Sequence, residues 1–229
     1  MKTPIVHAEA PILLLGGGNV SKPSFERLLP RFQAVVCADG GANTAQALGV
    51  TPAAVIGDMD SVSDTTRAAT PPDRWFQIPE QDSTDFDKCL RHIEAPLVLG
   101  LGFEGSRLDH QLAALNTLSR HPDRRCILIG ADQIVFLAPP AMDIELPHGC
   151  LFSLFPLAPV QGGSQGLRWP IDEIAFAPDT VVGTSNEVVG PVSVTVTAPK
   201  MLVILPLHAL DAAIEMFLGT NACWPVRDR

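Results

Sequence analysis

Short apolar runs alternate with helical patterns through the first half of this chain, and that alternation leaves few folds open. Residues 12–15, 34–38, 53–56, 97–101 and 126–129 are strand-length apolar runs, and 75–78 is a weaker one. Between them lie helix-like stretches: 43–48, then Phe86, Leu90 and Ile93, then Leu108, Leu112 and Leu115 at helical spacing. Apolar strands separated by helices predict a doubly wound, mostly parallel α/β sheet, because parallel neighbours require crossovers. After about residue 138 the texture changes. Pro139-Pro140 is followed by apolar runs at 143–146, 151–157, 193–197 and 201–205, punctuated by Pro and Gly. This predicts a small antiparallel β domain. Leu210, Ile214 and either Phe217 or Leu218 mark a final helix over 207–218. The expected domains are therefore 1–138 and 139–229.

Four short motifs follow the apolar runs and carry the chemistry. They are Ala38-Asp39-Gly40-Gly41-Ala42-Asn43, Gly57-Asp58-Met59-Asp60-Ser61, the stretch 81–88, and Gly105-Ser106-Arg107-Leu108-Asp109-His110. Asp39, Asp58, Asp60, Asp85 and Asp109 are thereby expected to converge on one edge of the sheet. Converging carboxylates repel unless a cation holds them, and hard oxygen ligands suggest Mg²⁺ with a phosphate substrate. Asp58 and Asp60 leave the same face of an extended segment, so they can share a metal ion. The plainer reading of that pair is a solvated turn with a helix cap at Ser61 or Ser63. Its place after a strand, beside three other carboxylate motifs, favours the metal.

Each remaining motif has an ordinary reading too. Gly16-Gly17-Gly18 is either a tight turn or a phosphate cradle, and it fits no standard phosphate-loop spacing. Thr84 can cap a helix starting near Asp85. Asp85 and Lys88 share a face of that helix, either as surface decoration or as a metal ligand and a mobile cation meeting phosphate. Asp109 suits a helix N-terminus, whereas Arg107 does not unless a phosphate binds there. His110 reads as structural. Residues 183–188, Gly-Thr-Ser-Asn-Glu-Val, read as a polar hairpin loop.

Composition excludes several classes. The formal charge of −9 disfavours nucleic acid or an anionic membrane as a partner. No apolar run approaches the ~20 residues that span a bilayer, and the N-terminus lacks a signal-peptide pattern. The five cysteines are scattered without a C-x-x-C pair, which suggests core residues in a reducing cytoplasm.

Together the four motifs, with Gly166-Leu167-Arg168-Trp169-Pro170 and 183–188, resemble the thiamine pyrophosphokinase family over about residues 13–205. The resemblance implies an α/β catalytic domain followed by a β-sandwich domain, in a homodimer with shared active sites. It implies transfer of a diphosphoryl group from ATP to thiamine, with Mg²⁺ held by Asp39, Asp58, Asp60 and Asp85. Gly40, Asn43, Lys88, Arg107 and Asp109 would position nucleotide or phosphates. Gln81, Ser185 and Asn186 would approach the thiamine, with Trp169 the nearest aromatic wall. Asp58, Asp60, Asp85 and Arg107 form the expected catalytic set, and Asp85 is the candidate proton acceptor. Two departures stand out: Ser106 replaces a usual Gly, and the chain continues past Leu205 without an assigned role. The rivals are a diphosphokinase for another hydroxymethyl heterocycle, such as a pterin, and a catalytically silent nucleotide-binding regulator.

Overall fold

The computed structural model describes residues 4–105 and 107–226. Ser106 and the last residues of the C-terminal extension lie outside that range. The chain divides into two compact units, Met1–Thr117 and Leu118–Arg229. No helix among the described residues is long and apolar enough to cross a membrane.

The first unit begins with β1 (Val6–His7) and β2 (Ile12–Leu15), then α1 (Lys22–Leu28), β3 (Val35–Ala38), α2 (Gly41–Ala47) and β4 (Ala54–Gly57). It continues with α3 (Asp64–Ala69), β5 (Trp75–Gln77), α4 (Asp85–His92), β6 (Ile93–Glu94), β7 (Val98–Leu101) and α5 (Leu108–Arg120). Its main strands lie in the order β7-β2-β3-β4-β5, all parallel. Strands β2, β3, β4 and β7 are buried along their whole length, which is why they read as unbroken apolar runs. The chain steps outward from β2 to β5 and then returns to β7 on the other side of β2. That reversal makes a switch point, and an open crevice is expected past the carboxyl ends of the strands there. Strands β1 and β6 form a separate parallel pair that the apolar pattern did not reveal.

Helix starts follow side-chain chemistry. Ser63 accepts from the Thr66 amide to cap α3, and Thr84 accepts from the Asp87 amide to cap α4, each at 3.2 Å. Helix α5 leaves two of the leucines that mark it in water. Leu108 and Leu112 do not face a core; they are 66% and 57% exposed, while Ala114, Thr117 and Leu118 are buried. Helical spacing located the element but not its inward face, because the small residues turn inward.

The second unit contains β8 (Cys126–Ile129), β9 (Gln133–Leu137), β10 (Ala141–Ile144), β11 (Leu151–Pro156), β12 (Gly162–Leu167), β13 (Thr184–Val196), β14 (Met201–Pro206) and α6 (Leu210–Gly219). Its pairings are antiparallel. Phe136, Phe152 and Phe176 are among its fully buried side chains. Strand β13 overturns the reading of 183–188 as a hairpin loop. It pairs β11 at its start and β10 and β12 towards its end. Asn186, Val188, Val192, Val194 and Val196 are buried on one face of the strand, with the half-buried Gly190 between them, so Asn186 is in phase with the valines. Polar composition suggested a loop, but a polar residue stays in a strand when its side chain is satisfied. Beyond α6, Arg125 donates to the Phe217 and Thr220 carbonyls at 2.7 Å each, closing the helix end, and the Trp224 indole donates to Ala138 O at 2.8 Å.

Candidate active site

Loops after β2, β3, β4 and β7 surround a cleft of about 670 Å³ in the first unit, lined by residues that include Gly17, Asp39, Asp58, Asp60, Lys88 and Arg107. Glycine shapes the walls by allowing close approach. A Cβ on Gly16 would sit 2.5 Å from Gly102 O, and one on Gly18 would sit 2.3 Å from Glu104 O. Those two glycines are required by backbone packing. Gly17 is different: a Cβ there meets nothing nearer than 3.7 Å, so its backbone borders open cleft. Gly57 holds the carboxylates together, because a Cβ would come within 2.7 Å of the Asp39 Cβ and 3.0 Å of Asp85 Oδ1.

Asp39, Asp58 and Asp60 each offer an oxygen, and these atoms lie within 4.8 Å of one another. Two of the supporting positions carry backbone strain. Asp39 has φ 40° and Met59, between the other two carboxylates, has φ 69°. Left-handed conformations at non-glycine residues cost on the order of 1 kcal/mol or more and persist only where surroundings enforce them. The surroundings are visible. The Ser61 amide donates to Asp39 Oδ2 at 3.2 Å, the Asp60 amide to Asp58 Oδ1 at 3.4 Å, and the Arg67 guanidinium to the Met59 carbonyl at 3.1 Å. Arg67 also lies over the Trp75 ring, 5.3 Å from its centroid.

Lys88 supplies the counter-charge. Its side chain is 2% exposed, and Nζ sits 3.0 Å from Asp85 Oδ1 and 3.5 Å from Asp58 Oδ2. The expected mobile lysine is thus a pinned one, buried beneath two carboxylates. Burial pulls its pKa down, but the Asp85 hydrogen bond and the charges of Asp85 and Asp58 outweigh it, and the net shift is upward. The carboxylates part in opposite directions. Burial pushes Asp58 up, but the Gln81 and Asp60 hydrogen bonds and Lys88 overcome it, so Asp58 lies below its ordinary value. Asp85 lies above its ordinary value. Burial drives that rise, Lys88 opposes it, and the charges of Asp39 and Asp58 add to it. Asp58 is therefore the group held as an anion, and Asp85 the stronger proton acceptor.

The remaining expected residues divide between cleft and surface. Gly40 and Asn43 line the cleft. The Asn43 side chain donates to Ser61 O at 2.8 Å and accepts from the Ser63 amide at 3.0 Å, stitching the 58–63 turn to α2. Gln81 lines the cleft and donates to Asp58 Oδ2 at 3.1 Å. Asp109 departs from the expected convergence. It forms an exposed pair with Arg107, which satisfies the cation that helix polarity left unexplained. That partner holds the Asp109 carboxyl below its ordinary value. His110, read as structural, is exposed and lines the cleft. Trp169, Ser185 and Asn186 belong to the second unit. Trp169 is 55% exposed and Ser185 is exposed, but Asn186 is 1% exposed and bonded to the Trp169 backbone.

A supporting network escaped the sequence reading. Arg91 reaches Asp87 at 3.0 Å, Ser83 Oγ at 3.1 Å and Glu80, tying the chain that carries Gln81 to α4. The i,i+4 spacing of Asp87 and Arg91 was its only signal. Phe86 and Phe103, with ring centroids 4.4 Å apart, form an apolar stretch of the cleft wall.

The donor set fits a hard divalent cation. All three clustered groups offer carboxylate oxygens, and Asp39 Oδ1 is buried with no hydrogen-bond partner. An unpartnered buried carboxylate oxygen is costly, and a cation is the natural remedy.

Comparisons with known proteins agree on one family. The family model described as "Thiamin pyrophosphokinase, catalytic domain" matches residues 25–129, and "Thiamin pyrophosphokinase, vitamin B1 binding domain" matches 142–201. Thiamine pyrophosphokinase 1 of Oryza sativa is 29% identical over 223 residues, covering 81% of this chain and 83% of that protein. Thiamine pyrophosphokinase 1 of Arabidopsis thaliana is 28% identical over 211 residues, covering 73% and 76%. The fold is also that of yeast thiamin pyrophosphokinase, with a TM-score of 0.72 at 17% identity over 93% of this chain and 94% of that one. The Candida albicans thiamin pyrophosphokinase gives a TM-score of 0.71 at 18% identity over 90% and 94%.

Proposed function

This chain belongs to the thiamin pyrophosphokinase family, and from that membership we propose that it transfers a diphosphoryl group from ATP to thiamine, releasing AMP. The observation that carries the reading is the Asp39–Asp58–Asp60 cluster with its unpartnered buried oxygen, at the switch-point cleft of a parallel sheet. In this reading Asp39, Asp58 and Asp60, with Asp85 beside them, hold Mg²⁺ and the triphosphate. Bound there, the cation neutralises developing charge on the phosphate oxygens. Gly17 and Gly40 let the backbone approach the phosphates, and Arg107 turns from Asp109 to meet a phosphate oxygen. The alcohol oxygen of thiamine bonds to the β-phosphorus, and the bond from that phosphorus to the α,β-bridging oxygen breaks, leaving AMP. The alcohol proton passes to Asp85. Its raised pKa supports that role, and Lys88 keeps it ionised in the resting site. Most of the rate then comes from positioning and charge.

We further propose that residues 1–138 form a doubly wound catalytic domain and 139–229 a β-sandwich that binds thiamine through Trp169 and Ser185. The two family matches, 25–129 and 142–201, do not overlap along the chain, which supports a reading in two domains. The free, scattered cysteines support a cytoplasmic enzyme. The test is AMP formation from ATP with and without thiamine, with products identified by mass spectrometry. Thiamine-dependent AMP and thiamine diphosphate are expected. Diphosphorylation of a pterin alcohol with thiamine untouched, or no turnover, would overturn the assignment.

The active unit in this reading is a homodimer with shared sites. Mixing inactive Asp58→Asn chains with Trp169→Ala chains, at thiamine far below the raised KM of the latter, should then restore about a quarter of wild-type activity, because some hybrid sites would be intact. A fully active monomer in sedimentation at assay concentration would refute it.

A further inference from the structure

Asn186 has an unusual set of partners for a side chain in the middle of a strand. It is 1% exposed, and a buried carboxamide is costly to leave unpaired. The Trp169 amide donates to Asn186 Oδ1 at 3.1 Å, and Asn186 Nδ2 donates back to Trp169 O at 2.6 Å. The Glu187 amide donates to the same Oδ1 at 2.9 Å. The carboxamide presents one donor and one acceptor side by side, as one residue of extended backbone does. The main chain of Asn186 is meanwhile in register with Phe152 of β11.

The result is a ladder continued by a side chain. Strand β12 runs beside β13 as far as the Leu167–Val188 pair, and the Arg168 amide then donates to Glu187 O at 2.8 Å. Trp169 would be the first residue beyond the ladder, and Asn186 instead holds both of its backbone polar groups. The indole so held is 55% exposed. The Arg168 guanidinium lies 5.7 Å from its ring centroid and pairs with Glu187 at 2.9 Å. A large apolar ring displayed to water on a backbone tied at both ends is preorganised for a flat partner.

We propose that Asn186 is a positioning residue: it holds Trp169 pre-set as the wall for the acceptor's ring and does not itself touch the acceptor. The inference rests on the reading of Trp169 as part of the thiamine site. It also replaces the expectation that Asn186 contacts thiamine directly.

The test combines a ligand-free measurement with a mutant cycle. Without ligand, hydrogen exchange at the Trp169 amide should be at least about tenfold faster in Asn186→Ala than in the unaltered chain. In steady-state kinetics that variant should raise the KM for thiamine about tenfold, with the KM for ATP within about twofold and kcat within about threefold. Trp169→Ala should raise the KM for thiamine by at least as much. The double variant should be no worse than Trp169→Ala alone, because a residue acting only through the indole has nothing further to lose. Losses that multiply in the double variant would mean that Asn186 contacts the acceptor, and would overturn the proposal. So would unchanged exchange at Trp169 with normal turnover. Should Asn186→Ala fail to fold, Asn186→Ser serves in the same cycle. Its hydroxyl can still accept from the Trp169 amide but has no second group for the carbonyl, so an intermediate exchange rate is expected. Absence of any thiamine turnover by the unaltered protein would sink the functional reading, and with it the acceptor role given to Trp169. Normal turnover with a failed cycle would sink only the role of Asn186.

Discussion

Asp58→Asn is expected to lower turnover by about a thousandfold while leaving the fold intact. The substitution preserves shape and one acceptor oxygen but removes the charge at the centre of the cluster. Asp58 is held as an anion, since Gln81, the Asp60 amide and Lys88 all favour its ionised form and together outweigh burial. A metal-held phosphoryl site draws several kcal/mol of transition-state stabilisation from such charge, and about 4 kcal/mol corresponds to a factor of roughly 10³. Single-turnover AMP formation should be measured across a Mg²⁺ titration, with the thermal midpoint as control for folding. Turnover within tenfold of the unaltered enzyme at saturating Mg²⁺ would remove Asp58 from the metal site. A midpoint far below that of the unaltered chain would instead assign Asp58 a mainly structural part.

Lys88→Met is expected to produce the largest loss of stability among residues at the site. Methionine keeps the length and apolar stem, so the change isolates the charge. Without Nζ, Asp58 and Asp85 face each other and Asp39 across a partly dry cleft with no cation near. Breaking a buried pair by removing one partner costs roughly 3–5 kcal/mol. Because Asp58 and Asp85 keep some contact with water, the lower end is expected, about 3 kcal/mol, or roughly 6–12 °C in midpoint. The pH of measurement matters little near neutrality. The folded pKa of Lys88 is raised, so its contribution is complete below the ordinary lysine value and is lost only as pH rises through the folded value. Mg²⁺ gives the discriminating arm. A more negative cluster binds a divalent cation more tightly, so added Mg²⁺ should raise the midpoint of the variant more than that of the unaltered chain. Equal shifts in both proteins would show that Lys88 and the cation do not answer to the same carboxylates.

The two variants bear on different halves of one arrangement. Asp58 tests the ligand set, and Lys88 tests what keeps that set together while no cation is bound. A folded chain must exist before any cation binds, and three carboxylate oxygens within 4.8 Å of one another need some compensation in that state. Lys88 supplies part of it, and backbone amides of Ser61 and Asp60 supply more. Asp39 Oδ1 remains without a partner, which marks it as the atom with most to gain from a cation.

Much of the catalytic unit could be read along the chain because its signals are local. An apolar tetrapeptide such as residues 12–15 has to be buried on both faces, and only a parallel strand under helices does that cheaply. A carboxylate just after such a strand has little choice but to reach the sheet's carboxyl edge, so Asp39, Asp58 and Asp60 were foreseeable together. Thr84 before α4 follows from cap chemistry alone. Residues whose surroundings come from distant parts of the chain were not readable in this way. Lys88 looked like an exposed member of an i,i+3 pair, and burial beneath Asp58, thirty positions earlier, made it a pinned counter-ion. Asp109 looked like a fifth converging carboxylate, but its own neighbour Arg107 lay closer than the cluster. Asn186 looked like part of a loop, because a polar run carries no sign that another segment's backbone will satisfy it. Sequence patterning dictated which segments are strands and which ends of them bear charge, since those depend on spacing and side-chain type over a few residues. Only tertiary structure decided which of those charges meet, which are neutralised, and which polar groups hold the chain rather than a ligand, because burial and partnership are properties of residues far apart in sequence.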